Sequence, residues 1–319
     1  MKIVYLNPIG EIGGAETSLL HLLSVLRAIQ PRWELSLVTG TEGPLLPRAE
    51  ALGVSSRVIP LPVSLRRLGD AGLGAKQGPS VGRSAFLANL VSGGIDAATY
   101  VARLRRAIRE IKPDLVQSNG FKMHLLSTYA SEAGVPIVWH VHDYVSARPV
   151  TGPLLRLCAS RCSTAVANSV SVAQDLRSIG MRTSNIESIY NGIDTDVFAP
   201  RGSSIDLDSL AGLPPATPGV LRVGLLGTFA RWKGHEIFLR ALSMLSPEIP
   251  IRGYVVGGPI YQTNGSQHTI AELSKLAGTL GLNGKVGFTG FIEDPAAAIR
   301  SLDVVVHAST QPEDRKSVV

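Results

Sequence analysis

Short apolar runs of strand length alternate with stretches of helical period along most of the chain. Lys2–Leu6 is β-rich, the loop NPIGEIGG follows over Asn7–Gly14, and Ala15 to about Ile29 sets Leu19, Leu20, Leu22, Leu23 and Leu26 on one side of a helix. Glu34–Thr39 predicts a strand, Pro44–Leu52 a helix and Val58–Pro60 a third strand. The rhythm resumes with a helix over Asp96–Ile111, a strand over Asp114–Ser118, a helix over Phe121–Ala133 and a strand over Ile137–His142. A helical stretch including Leu154–Cys162 precedes the strand Thr164–Ala167. Asn168 and Ser169 then cap the helix Val170–Ile179, because their side chains satisfy free N–H groups there, and Ile186–Ile189 is a further strand. This alternation predicts an α/β protein with parallel sheets covered by helices.

Two stretches interrupt the pattern. Pro62–Gly94 carries Arg66, Arg67, Lys76 and Arg83 among many glycines and serines. It reads as a mobile surface loop, or as a basic flap over an acceptor site or a lipid surface. Phe198–Pro218 is rich in Pro, Gly, Ser and Asp and predicts an interdomain linker. The expected division is residues 1–200, a linker over 201–218, and a second domain over 219–319. That domain continues with strands at Val220–Leu226, Arg252–Val256, Lys285–Thr289 and Asp303–His307, with helices at Thr269–Leu280 and near Pro295–Ser301.

Within it, Val223–Leu226 delivers the loop Gly227–Lys233, which holds Arg231 and Lys233. Gly234 opens a segment with apolar residues at Ile237, Phe238, Ala241, Leu242 and Leu245. The first turn of such a helix offers unpaired N–H groups and a positive dipole end. The stretch therefore reads either as a plain βα turn with solvated cations or as a seat for a phosphate or diphosphate.

At 319 residues, 45% hydrophobic and 18% charged, the chain can build two globular cores. The net charge of +6 suits anionic small molecules or an anionic membrane surface. No dense Lys/Arg tract or nucleic-acid module occurs, so no nucleic-acid partner is expected. Cys158 and Cys162 lie four apart with no Cys/His cluster to complete a metal site, which predicts two buried thiols in a reducing compartment. The chain opens directly on a strand and shows neither a signal peptide nor an apolar run of membrane-spanning length. A cytoplasmic protein is expected, with contact to the inner face of the membrane left open.

Candidate chemistry gathers at strand ends. Gly13 and Gly14 let backbone approach a ligand closely, beside Glu16, although they also suit a tight βα turn. Their spacing from Gly10 is not the GxGxxG fingerprint, and no acidic residue closes the second strand, which weighs against a nicotinamide dinucleotide. In HVHD, His140 and His142 point to one side of a strand, and His142 is the better placed to donate to a substrate oxygen. A structural histidine pair is the alternative. Asn191–Gly192 shapes a turn, and Glu313 follows the last strand, where a carboxylate can accept from a sugar or ribose hydroxyl.

Read in order, GGAE at Gly13–Glu16, HVHD at His140–Asp143, ANS at Ala167–Ser169, IYNGID at Ile189–Asp194, FARWKGH at Phe229–His235 and DVVVHAS at Asp303–Ser309 resemble the retaining glycosyltransferases of family four. The resemblance spans nearly the whole chain. It implies the GT-B architecture of two Rossmann-like domains whose loops face one cleft, the first receiving the acceptor and the second a nucleotide-diphosphate sugar. It implies that Gly13 and Gly14 approach the donor phosphate and reacting sugar, that His142 contacts the donor sugar, that Lys233 neutralises the diphosphate, and that Glu313 holds the sugar and ribose. No metal or other cofactor is implied. The acceptor is left as a glycan, a lipid-linked sugar or a small molecule. Two departures stand out. Thr228 occupies the place where the family has arginine, so Arg231 is the expected substitute in charge. After Glu313 the sequence lacks the family's turn, helix and second glutamate, so the second domain is expected to be incomplete and the chain truncated. A nucleotide-sugar epimerase of the same architecture and a non-catalytic nucleotide-sugar-binding protein are the alternatives.

Overall fold

The computed structural model describes residues 1–67, 83–148, 151–183, 185–246, 248–259 and 267–310. Lys76 and Glu313 lie outside them. Two compact units emerge, Met1–Gly192 and Ile193–Pro312.

The first unit is a seven-stranded sheet whose described pairings are all parallel: β1 (Lys2–Asn7), β2 (Glu34–Thr39), β3 (Ser55–Val58), β4 (Leu115–Asn119), β5 (Ile137–Val141), β6 (Thr164–Ala167) and β7 (Ile186–Ser188). Their order is β3-β2-β1-β4-β5-β6-β7, so the winding reverses between β1 and β4. The helices are α1 (Gly14–Ile29), α2 (Leu45–Ala51), α3 (Val63–Arg67), α4 (Arg83–Ile111), α5 (Phe121–Ala130), α6 (Thr151–Cys158) and α7 (Val170–Ser178). Strand alternation sends Ile3 and Tyr5 to a core with Leu19 and Leu23 of α1, and Val4 and Leu6 to a core with Tyr100 and Leu104 of α4. Both faces of the sheet are thus covered, which is what a parallel sheet requires.

Several boundaries differ from the sequence reading. Arg83–Gly94, expected as loop, is the start of α4, and Val63–Arg67 is helical too. Ala85, Leu87, Ala88 and Leu90 are good helix formers, and the helix runs on through Gly93 and Gly94. The third strand runs over Ser55–Val58 rather than Val58–Pro60, since Pro60 has no N–H to donate. Ile59 and Leu61 still donate singly to the Thr39 and Gly40 carbonyls, at 2.9 and 2.8 Å. Ser169 caps α7 by accepting from the Val172 N–H at 3.2 Å, whereas the Asn168 amide donates to the His142 carbonyl at 3.3 Å. Cys158 ends α6 and Cys162 follows a 3-10 turn; both are free and buried. None of the described helices is long and apolar enough to cross a membrane.

The second unit repeats the plan with β8 (Leu221–Leu226), β9 (Ile251–Val256), β10 (Val286–Gly290) and the short β11 (Val304–Val305), all parallel in the order β10-β9-β8-β11. Its helices are α8 (Leu207–Leu210), α9 (His235–Ser243), α10 (Ile270–Thr279) and α11 (Pro295–Arg300). The expected linker, 201–218, belongs to this unit. Leu207 of α8 is fully buried against Tyr254, Val256 and Ala298. Beside it, Asp208 accepts from Arg252 at 2.6 Å, Tyr254 Oη at 2.7 Å, the Ala216 N–H at 2.9 Å and Arg222 at 3.1 Å. Burial opposes the charge on Asp208, but the bonds from Tyr254 and Arg252 outweigh it and bring its pKa down to about 2. In α9 the buried stripe is His235, Phe238, Leu239 and Leu242. Ile237 is half exposed, since the helix begins at His235 and its phase turns that residue outward.

Candidate functional site

In the first unit the candidate residues collect at the C-terminal ends of β1, β4 and β5, around the point where strand order reverses. Parallel open sheets bind ligands in the crevice at such a point. The Leu6↔Ser118 pair, continued by one residue, sets Asn7 beside Asn119, and Asn119 pairs in register with His140. These three share one face of the sheet, the face of Tyr5 and α1, and the rings of His140 and His142 stand 4.1 Å apart. Buried Glu16 binds the region together. It accepts from the Gly13 N–H at 3.0 Å and from the Asn7 amide at 3.1 Å, fixing the GGAE turn onto the end of β1. Gly13 is the N-cap of α1 and Gly14 its first residue, so the turn ends at a helix N-terminus. Gly10 has a packing role instead: a Cβ there would lie 2.5 Å from the Glu42 backbone.

The HVHD loop is braced from α7, where the buried Asp175 carboxylate accepts from the Val145 and Ser146 N–H groups at 2.7 and 3.1 Å. Asp143 turns away to Arg148, 3.8 Å distant. On the opposite face, Ser118 Oγ lies 2.8 Å from His124 Nδ1, and His124 stacks on Trp139. Burial, with help from nearby His140, lowers the His124 pKa to about 3, so the ring is neutral. A separate groove of about 810 Å³, lined in part by Arg148, Arg156 and Arg182, contains none of these strand-end residues. Arg66, from the expected basic flap, lies on α3, and its carbonyl accepts from Lys122 at 2.6 Å.

In the second unit the equivalent reversal lies between β8 and β11. The loop after β8 passes through a 3-10 turn, Arg231–Lys233, before α9 begins. Gly234 between them has φ +76°, and a Cβ there would lie 1.8 Å from the Ala308 carbonyl, so only glycine fits. The loop after β11 closes on this turn, with the Thr310 N–H donating to the Trp232 carbonyl at 2.8 Å. Lys233 runs its alkyl chain over Gly227, where a Cβ would sit 3.7 Å from it. This arrangement brings Lys233 to the β8 end beside the N-terminus of α9. Arg231 is placed elsewhere: its guanidinium contacts Glu272 of α10 and His268, each at 3.2 Å. The charge expected to stand in for the residue at Thr228 is engaged by a carboxylate. Behind the turn His235 is fully buried, and burial, then neighbouring His268 and Lys233, lowers its pKa to about 4.

These shifts set an acid limit. An unfolded histidine titrates near 6.5, above the folded values of His124 and His235, so below pH 6.5 the unfolded chain binds protons the native state refuses. Each unit is expected to lose roughly 1.4 kcal/mol per pH unit between about pH 6 and 4. Asp208 adds a loss from about pH 4 down toward 2, since its folded pKa is depressed and the unfolded chain protonates first. Urea denaturation at pH 7, 5.5 and 4.5 checks this; equal stability at pH 7 and 4.5 would count against it.

Asn7, Asn119, His124 and Asp208 were not singled out by the sequence reading. The signal for Asn7 is a polar residue ending a largely apolar strand, KIVYLN, whereas LVQSN is polar over its last three residues and marks Asn119 less sharply.

Known proteins supply an independent comparison. Residues 12–197 match Glycosyltransferase Family 4, and residues 219–317 match Glycosyl transferases group 1. The chain is similar to HepE from Anabaena in complex with UDP, with 25% identity and a TM-score of 0.70 over 98% of this chain and 75% of that one. The complex of HepE with UDP-glucose gives 24% identity and a TM-score of 0.73, with the same coverage of 98% and 75%. Sucrose-phosphate synthase from Thermosynechococcus elongatus shares the fold at 17% identity and a TM-score of 0.67, over 98% of this chain and 77% of that one. No curated protein sequence matches the chain.

Proposed function

The chain belongs to glycosyltransferase family 4, and from that premise we propose that it moves a sugar from a nucleotide-diphosphate sugar to an acceptor hydroxyl with retention at the anomeric carbon. The observation that carries the reading is the position of Lys233, laid over Gly227 beside the N-terminus of α9 at the β8–β11 reversal. A helix start and a cation together make a seat for a diphosphate. The complexes of HepE with UDP and UDP-glucose support a uridine nucleotide sugar as donor.

In the proposed reaction the bond from the anomeric carbon to the diphosphate breaks, and the leaving oxygen keeps the electron pair. The acceptor oxygen bonds to the anomeric carbon on the same face, and its proton passes to the departing phosphate. Negative charge grows on the diphosphate as this happens. Lys233 and the α9 amides offset that growth, which lowers the barrier because the interaction strengthens along the reaction. In this proposal the compensating positive charge is that of Lys233 and the start of α9. Gly13 and Gly14 lie against the donor, and His142 contacts its sugar. Arg231, held by Glu272, contributes less than Lys233. Glu313 is assigned to the sugar and ribose hydroxyls. The acceptor is a glycan, a lipid-linked sugar or a small molecule.

Calorimetric titration with UDP-, GDP-, ADP- and dTDP-glucose tests the donor assignment. Saturable binding of one nucleotide class, UDP foremost, is expected. Failure of every member to bind would overturn the reading.

A further inference from the structure

The groove of about 810 Å³ in the first unit lies between α6 and the end of α7 and takes in the loop after HVHD. Three guanidinium groups line it from three places, Arg148 in that loop, Arg156 on α6 and Arg182 just beyond α7. Among the described residues Arg156 and Arg182 form no ion pair. Arg148 has one carboxylate near it, Asp143 Oδ2 at 3.8 Å, too far for a hydrogen bond. Its guanidinium lies over the Phe121 ring, 5.4 Å from the centroid, and its Nε is buried without a hydrogen-bond partner among the described residues. The aromatic ring thus holds this charge in place without neutralising it. Groups nearby that repel an anion are already engaged. Asp175 is taken up by the Val145 and Ser146 N–H groups. At the end of α7 the Asp175, Leu176 and Arg177 carbonyls accept from the N–H groups of Ile179, Met181 and Gly180, at 3.1, 3.2 and 3.0 Å.

The chemistry of these groups selects the ligand. A guanidinium presents a fork of N–H donors that matches the oxygens of a carboxylate or a phosphate. One carboxylate fills one fork, whereas the terminal oxygens of a phosphate serve more than one. The groove's volume falls within the range of small-molecule sites, about 300–1,000 Å³, and far exceeds a bare phosphate ion. Val145, Leu157 and Ile179 give it an apolar wall, and Leu157 is 77% exposed, so a carbon body has uncovered surface to lie on. We propose that this groove binds an organic phosphate, with the phosphate groups held by Arg148, Arg156 and Arg182 and the carbon body lying on Val145, Leu157 and Ile179. The site is separate from the strand-end crevice and from the Lys233 seat, and it does not depend on the transferase reading. A soluble phosphate ester and a phospholipid headgroup offer the same chemistry, and the two sources separate experimentally.

The first measurement needs no variant. In nitrogen-15 NMR spectra of the parent protein, the side-chain Nε–H resonances of Arg148, Arg156 and Arg182 are expected to shift saturably with fructose 1,6-bisphosphate, and more weakly with glycerol 1-phosphate, which carries a single phosphate. Saturation by these esters identifies a soluble ligand. A response confined to phosphatidylglycerol vesicles, and absent with phosphatidylcholine vesicles, identifies a headgroup. Resonances that move no further with any of these probes than with sodium chloride of equal ionic strength overturn the proposal. Arg156→Gln combined with Arg182→Gln changes two exposed side chains and is expected to leave the melting temperature unchanged. Binding of the probe that the parent answers to should weaken by about tenfold or more, because charge-assisted hydrogen bonds are lost. The same probe should bind Lys233→Ala as it binds the parent. Parental affinity in a folded double variant overturns the proposal. A parent whose arginines answer to these phosphates but which binds no nucleotide sugar keeps this site and loses the transferase reading. One that binds a nucleotide sugar while its arginines stay unmoved loses this site alone.

Discussion

Replacing Lys233 by alanine is expected to lower sugar transfer by about a hundredfold or more, the usual effect of removing one preorganised contact to charge that develops in a transition state. The loss should fall mainly on kcat, because a diphosphate carries more negative charge once the sugar has departed than before. The fold around the residue is expected to survive the change. The turn is held by backbone bonds that the substitution leaves in place, Lys233 N–H to the Ala230 carbonyl at 2.9 Å and Thr310 N–H to the Trp232 carbonyl at 2.8 Å. Steady-state kinetics with the preferred nucleotide sugar, beside a melting curve, separates the two effects. Near-parental turnover in a folded Lys233→Ala protein would remove Lys233 from the reaction. Arg231→Ala serves as the contrast. Its guanidinium already faces Glu272, so a smaller loss is expected.

The largest stability effect should come from the other end of the same sheet. Asp208→Ala is expected to destabilise the second unit by about 3–5 kcal/mol, because it leaves the Arg252 and Arg222 charges and the Tyr254 hydroxyl without their shared acceptor. Arg252 is itself largely buried, with a side chain 14% exposed, so water replaces the lost partner poorly. For a unit of this size the loss corresponds to a fall in melting temperature of more than about 10 °C. Scanning calorimetry reads it directly. Asp208→Leu combined with Arg252→Leu should recover part of the loss, since breaking one half of a buried pair costs more than replacing both halves with apolar groups. A melting temperature for Asp208→Ala within a few degrees of the parent would show that Asp208 is not the staple of this unit.

Strand–helix alternation made the architecture legible before any coordinates. Apolar runs such as VGLL and GYVV are largely buried on both faces, and that pattern belongs to parallel sheets. Strand ends also carried the candidate residues: the GGAE turn follows β1, at the reversal of the first sheet, and HVHD ends β5, one strand further on. Tertiary context was harder to read. The helical phase of α9 could not be fixed from Ile237 and Leu245, because either of two stripes fits a segment that short; the backbone turn at Gly234 selects the one with Leu239. Asp208 lies in a stretch whose Pro, Gly and Ser content reads as linker. Its partners Arg222, Arg252 and Tyr254 are 14, 44 and 46 positions away, and no local pattern reveals such pairing. Asn119 was hidden for a similar reason. Ser-Asn-Gly after a strand reads as turn chemistry, and its burial depends on β1 and β5 on either side.

Transfer itself is the most direct test of the central claim. The protein, incubated with carbon-13-labelled UDP-glucose and a mixture of candidate glycan, lipid-linked and small-molecule acceptors, should release UDP in step with the appearance of labelled sugar joined to one acceptor. The anomeric configuration of the donor should persist in the product, read from the one-bond carbon–hydrogen coupling. A labelled sugar that changes configuration with no acceptor present, or a nucleotide sugar that binds and is recovered unchanged from every mixture, would contradict the account.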